Sequence, residues 1–227
     1  MRRWTLLPVL ATGLTGAVAA FAAPVAEVVA IKGAAVLVSA GRTTALTAGT
    51  RVDEGQEIRS LNPGRVKLRF VDGSVVVIGD ASSLRIETFR PPAGNAPRQA
   101  GFVLDTGLIS QTVAPSALGS WTVRTSSVVT AVRGTQYLIE VKPDQTTEVS
   151  VQSGAVAVEP APAARSRRDK VRSMGGQAAT LHEPPPDPVL LNRANASTAC
   201  TVDGECTPAR AWSADRLQQA ADRLAGV

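Results

Sequence analysis

The stretch WTVRTSSVVTAVRGTQYLIEVKPDQTTEVSVQSGAVAV, Trp121–Val158, decides the fold. Trp121, Val123 and Thr125 fall on one face of a period-2 run, and Thr122 and Arg124 on the other. Tyr137, Ile139 and Val141 alternate with Leu138 and Glu140, and Val149 and Val151 with Glu148 and Ser150. Alternation rich in β-branched residues predicts half-buried strands. Pro143-Asp144-Gln145 is a polar break, so Tyr137–Val141 and Thr146–Val151 are predicted to form a hairpin. Ser153-Gly154 turns the chain into Ala155–Val158. Gly134 lies between two apolar runs that must both be buried. It implies a tight corner, with positive φ or another strand against its Cα.

Upstream, Asn62-Pro63-Gly64 reads as a turn. Asp72-Gly73 reads as a two-residue hairpin turn of type I′. That register would place Phe70, Val75 and Val77 on one face. Lys32-Gly33 reads as a bend or bulge in an opening strand. Arg90–Gly101, RPPAGNAPRQAG, reads as a Pro/Gly-rich loop without a core of its own. Phe102–Leu104 and Leu108–Val113 read as two short strands with Thr106-Gly107 turning between them. Aromatics are only 4% of the residues, so Val, Ile, Leu and Ala must build most of the core. The fold class that follows is all-β, a solenoid- or sandwich-like stack of short strands with a short C-terminal helix.

The chain divides into three parts: a leader at 1–22, a β domain at 23–181, and a tail at 182–227. Arg2 and Arg3, an apolar run and Ala20-Phe21-Ala22 have the form of a signal peptide, with cleavage between Ala22 and Ala23. No later segment approaches the ~20 apolar residues of a membrane span. The expected location is the periplasm, with the extracellular space as the alternative. Removing Arg2 and Arg3 lowers the formal charge from +5 to about +3. The arginines are mostly scattered on alternating strand positions, and nucleic-acid binding is excluded. One basic cluster stands out, Arg165, Arg167, Arg168 and Lys170, as a contact for an anionic polysaccharide or as a solvated loop.

In the tail, Glu183–Pro188 is a stiff Pro-rich spacer, and Asn192–Thr198 reads as a polar connection. Cys200 and Cys206 enclose an Asp203-Gly204 turn and are expected to form a structural disulfide. Ser213 is a plausible N-cap for an amphipathic helix whose stripe is Leu217, Ala220, Ala221 and Leu224. That helix is expected to dock on the domain's own surface.

No catalytic constellation is visible. The single histidine, His182, lies in the Pro-rich stretch, away from any nucleophile. Asp53-Glu54 and Asp72 are accounted for as turn residues. No cofactor site, metal site or phosphate loop can be read from the chain.

Residues from about Val25 to Leu181 resemble a FecR domain. The resemblance is carried in order by Gly55–Ile58, Arg65–Ser74 with Asp72-Gly73-Ser74, and Ser83–Ile86. It continues through Leu104–Ile109, Trp121–Thr125, Val132-Arg133-Gly134-Thr135 with Gln136-Tyr137, Thr147–Val158 and Val171–Gln177. It implies an all-β periplasmic domain. Membrane-bound regulators of this family carry a cytoplasmic helical segment that controls a sigma factor. Only a leader is expected before the domain here, which leaves no cytosolic residues for that role. Ser126 stands where the family often has Pro. The function expected is a non-catalytic interaction, sensing or scaffolding module whose partner is an envelope protein. The alternative is a cell-surface or matrix component that binds an anionic envelope polymer.

Overall fold

The computed structural model describes residues 23–162 and 187–227. The leader with Ala22, the basic cluster Arg165, Arg167, Arg168 and Lys170, Val171–Gln177 and His182 lie outside the described residues. Ala23 is described and exposed.

Among the described residues the chain is all-β with one helix. Its strands are β1 (Ala26–Ser39), β2 (Arg42–Ala45), β3 (Arg51–Val52), β4 (Glu57–Phe70), β5 (Val75–Ile78), β6 (Ser83–Arg90), β7 (Arg98–Thr112), β8 (Gly119–Arg124) and β9 (Val128–Val132). They continue with β10 (Gln136–Val141), β11 (Thr147–Ser153), β12 (Val156–Pro160), β13 (Val189–Leu191), β14 (Ala196–Cys200) and β15 (Arg210–Ala211), followed by α1 (Ala214–Leu224). All the strands belong to one hydrogen-bonded sheet, whose main path runs β13-β12-β9-β8-β7-β10-β11-β14-β15. On the other side β4 pairs with β1, β5 and β6, and β5 and β6 both pair with β7.

Two strands are longer than expected. Asn62-Pro63-Gly64 is not a turn; it lies inside the 14-residue β4, which passes through a cis Asn62–Pro63 bond and keeps its pairing with β1 on both sides. The 14-residue β1 shifts register between Gly33 and Ala35, where the sequence predicts a bulge. Residues 98–112 form a single strand, β7, and its chain does not reverse at Thr106-Gly107. The first part of β7 lies between β6 and the parallel strand β8, and its second part between β5 and β10. Its side chains alternate correctly with the period-2 reading, but sequence alone does not separate a bend from a turn.

The β4–β5 hairpin also differs. Arg69 faces Val75, and Phe70 N donates to Ser74 O at 2.8 Å, so the loop is the three residues 71–73 with Gly73 at φ 85°. A three-residue loop ending in a left-handed glycine is the next commonest hairpin after the two-residue types. One extra loop residue moves the alternation by one position. Phe70 therefore shares the buried face with Val76 and Ile78, and Val75 and Val77 do not.

A single core joins residues from Val25 to Cys200. Its aliphatic side chains match the composition, and the few aromatics are concentrated in one place. Phe70, Phe89, Phe102 and Trp121 pack edge-to-face or stacked, with centroids 4.6–6.2 Å apart. The predicted β10–β11 hairpin is present, with Val141 opposite Thr147. In β10, however, every residue from Tyr137 to Val141 is buried. Leu138 and Glu140 point to the second face as predicted, and α1 covers them there.

The tail is part of the sheet. β13 pairs with β12, and β14 pairs with β11. Asn192–Thr198 thus ends in a strand instead of forming a polar connection. The boundary expected at 181/182 falls among residues that are not described.

Candidate interaction site

Two clusters of polar side chains bear on function. The first gathers the motifs that stand out in the sequence. Asp72 Oδ1 accepts from Ser74 N at 2.9 Å, and Oδ2 from Ser74 Oγ at 3.0 Å. This is the expected turn chemistry. Asp72 also pairs with Arg98, whose Nη1 donates to Oδ2 at 3.0 Å, with side chains only 1% and 2% exposed. The same nitrogen donates to Ala114 O at 2.7 Å, and Ala114 N donates to Ser74 Oγ at 3.0 Å. The guanidinium carbon lies 5.6 Å from the centroid of the Trp121 ring. Turn chemistry alone therefore does not account for Asp72.

Val132-Arg133-Gly134-Thr135 closes the same end. Val132 and Thr135 are buried, and Thr135 Oγ1 donates to Ala155 O at 2.9 Å. Gly134 does not have a positive φ. A Cβ placed on it would lie 2.9 Å from Pro115 Cα, so the corner exists because another backbone crosses at that point. The Arg133 side chain is exposed, on the rim of an open cleft of about 420 Å³ lined by Gly119, Ser120, Ala131 and Leu190. Gly73 sits in the hairpin loop. The motif residues thus hold the domain's end together. Arg98 is the residue that sequence reasoning missed, because it closes the Pro/Gly-rich stretch. The signal was present: Arg98, Ala100, Phe102 and Leu104 fall on one strand face, and that face is buried. Ser126 lies in an exposed turn, where its Oγ donates to Gln145 Oε1 at 2.9 Å.

The second cluster lies on the outer face of β7, β10 and β11. Glu140 is only 8% exposed, and its carboxylate pairs with Arg216 and Arg223 of α1. Glu148 accepts from Arg216 Nη2 at 2.9 Å and also pairs with Lys142. The Arg216 guanidinium stacks over the Trp212 ring, 4.4 Å from its centroid. Burial on the sheet lowers the pKa of Arg216, and neighbouring Arg223 adds to the shift. Ser213 caps the helix, accepting from Arg216 N at 3.2 Å. Ala220 is buried against Leu108 and Leu138, with Trp212 and Leu224 at the edges. The helix docks as the sequence predicts, but Ala221 of the predicted stripe is exposed and two arginines take part in the contact. Arg65 holds the far end, donating to Arg223 O at 2.6 Å and Ala225 O at 2.8 Å. Beside the helix an open cleft of about 300 Å³ is lined by Glu148, Thr198, Thr207, Arg210, Trp212 and Arg216.

Cys200 and Cys206 form a disulfide with an S–S distance of 2.09 Å. It ties the end of β14 to the segment returning to β15, which leads into α1. Among the described residues, no group of three His, Cys, Asp or Glu is placed to hold a metal, and no helix is long and apolar enough to cross a membrane.

Residues 56–157 match the family model described as FecR protein. This stretch is similar to a FecR domain. It spans all of β4 to β11 and the first two residues of β12, and so contains both Asp72-Gly73-Ser74 and Val132–Thr135. No curated protein matches the chain. Two crystal structures of a "putative anti-sigma factor" from Parabacteroides distasonis, at 2.50 and 1.65 Å resolution, are similar in fold. They are 17% identical, with TM-scores of 0.50 and 0.49. The match covers 71% of this chain and 62% of the neighbour, so this chain accounts for less than two thirds of that protein's length.

Proposed function

We propose that this chain is a non-catalytic FecR-domain module that acts by protein contact in the bacterial cell envelope, in a sensing or regulatory role. One observation carries the reading. The polar residues of the two sequence motifs, Asp72, Ser74 and Thr135, together with Arg98, spend their hydrogen bonds inside the domain. What remains for function is surface, and the most organised surface is the acidic and apolar face under α1. The FecR domain supports a regulatory reading. The leader with its Ala22–Ala23 junction supports export to the periplasm.

Two measurements test this. N-terminal sequencing of protein from a periplasmic fraction should begin at or near Ala23, and an intact Met1 on membrane-retained protein would overturn the export reading. Affinity capture from an envelope extract at low salt, with mass-spectrometric identification, should return the same envelope protein from independent preparations. Recovery only of anionic polymer, lost at high salt, would replace protein contact with polymer binding.

A further inference from the structure

We infer that the face formed by Leu108, Leu138, Glu140 and Glu148 is a receptor for a basic amphipathic helix of another envelope protein, and that α1 occupies it in cis as a stand-in for that partner. The inference rests on the protein-contact reading above and specifies the chemistry of the partner.

The argument begins with β10. A strand whose second face is exposed normally carries solvated side chains there. This one carries Leu138 and Glu140, and α1 covers both. Among the described residues, the charges facing Glu140 are Arg216 and Arg223 of α1, with Glu148 and Lys142 beside them. The face therefore has an apolar centre with an acidic edge. Its complement is an apolar stripe flanked by cations.

Helix α1 shows which pattern fits. Arg216, Ala220, Arg223 and Leu224 stand at i, i+4, i+7 and i+8 and form one stripe. The small residue lets the helix approach Leu108 and Leu138, and the arginines reach the carboxylates on either side. A partner helix needs the same spacing: cations a double turn apart, a small residue between them, and Leu after the second cation. Arg65, itself paired with Asp80 at 3.2 Å, would donate to the carbonyls at the end of any helix seated there, as it does to those of Arg223 and Ala225.

The occupant is also held in a way that permits exchange. Only Ala220 of its eleven residues is fully buried. An isolated helix of that length is marginal in water. Much of its attachment is ionic, which salt weakens. If the helix lifts, Glu140 and Glu148 return to solvent, so the vacated face does not retain a buried unpaired charge.

The test uses the full chain carrying Ala220→Asp, which sets a carboxylate at the centre of the contact and next to Glu140. A fluorescent peptide of residues 212–227 is the probe, read by anisotropy. The peptide should bind the opened chain and bind the unaltered chain about tenfold more weakly or worse, as expected when the receptive state is about a tenth of the population or less. Peptide with Arg216→Glu and Arg223→Glu should not bind, and Glu140→Gln with Glu148→Gln in the receptor should abolish binding of the original peptide. If Ala220→Asp loses its strand signature by circular dichroism, Arg216→Ala with Arg223→Ala opens the face instead. Failure of the peptide to bind a folded, opened chain overturns the inference, and so does equal binding to the unaltered chain. A dimer that exchanges α1 between copies, detected by light scattering, overturns occupancy in cis. None of these outcomes depends on what envelope capture returns, so the two readings fail separately.

Discussion

Arg98 and Asp72 form an ion pair at 3.0 Å in which neither side chain reaches solvent, at the end of the domain where the two motifs meet. Removing one member of such a pair leaves the other charge buried and unmatched, at a cost of about 3–5 kcal/mol. Arg98→Met should therefore lower the urea midpoint sharply. Adding Asp72→Asn should restore part of the loss, because the amide still offers an oxygen to Ser74. A loss below about 1 kcal/mol for Arg98→Met would show that the pair does not hold the domain's end.

Gly134 is restricted by a neighbour and not by its own dihedral. Gly134→Ala would force Pro115 Cα, 2.9 Å from the new Cβ, to move. Overpacking of this kind costs roughly 1–3 kcal/mol. Ala131→Val, three residues before Gly134 and on the exposed face of β9, should stay within about 0.5 kcal/mol. Thermal melts of the two variants give the comparison, and equal shifts would refute the crossing as the cause.

Tyr137 is fully buried, and desolvation pushes the pKa of its hydroxyl well above the ordinary tyrosine value near ~10. The polar groups of Thr130, Gln111 and Trp121 around the hydroxyl only partly oppose the shift. The folded pKa is raised, so the unfolded chain loses this proton first as pH rises. The contribution is fully present below about pH 10 and is lost progressively above it. Denaturation midpoints measured across that range should fall for the unaltered protein and fall less for Tyr137→Phe.

The disulfide encloses a short loop, so its effect should be local. Cys200→Ser with Cys206→Ser should cost about 2 kcal/mol in the loop-entropy account. Hydrogen exchange should accelerate at β14, β15 and α1, and β4–β9 should keep their protection. Loss of protection across the whole sheet would show that the crosslink stabilises more than the C-terminal hairpin.

Much of the fold was legible in the sequence because side-chain alternation survives every irregularity of the backbone. The inward positions of β8, β10 and β11 follow from pattern alone. The errors have a common source. Asn62-Pro63-Gly64, Thr106-Gly107 and RPPAGNAPRQAG contain residues that punctuate chains, yet β4 and β7 bend through them or begin among them, because pairing partners on both sides hold the strands. The Asp72-Gly73 register failed by one residue, since the same dipeptide serves two- and three-residue loops. Of the site residues, Asp72 and Gly134 could be found, whereas their partners Arg98 and Pro115 required the tertiary structure. The covering of Glu140 likewise could not be read from β10 itself.

The four residues Asn192–Asn195 between β13 and β14 have a further consequence. β13 lines β12, β14 lines β11, and the two tail strands lie beside each other, with Asn195 N bound to Val151 O at 2.7 Å and Trp212 N to Asn195 O at 3.0 Å. The tail therefore shields two separate strand borders with one clasp. Proteolysis in the stretch between β12 and β13, with loss of the released piece, would leave β11 and β12 each with a row of unpaired amides and carbonyls. Bare borders of that kind pair with other chains. The trimmed product should accumulate as oligomers or fibrils instead of a smaller soluble domain.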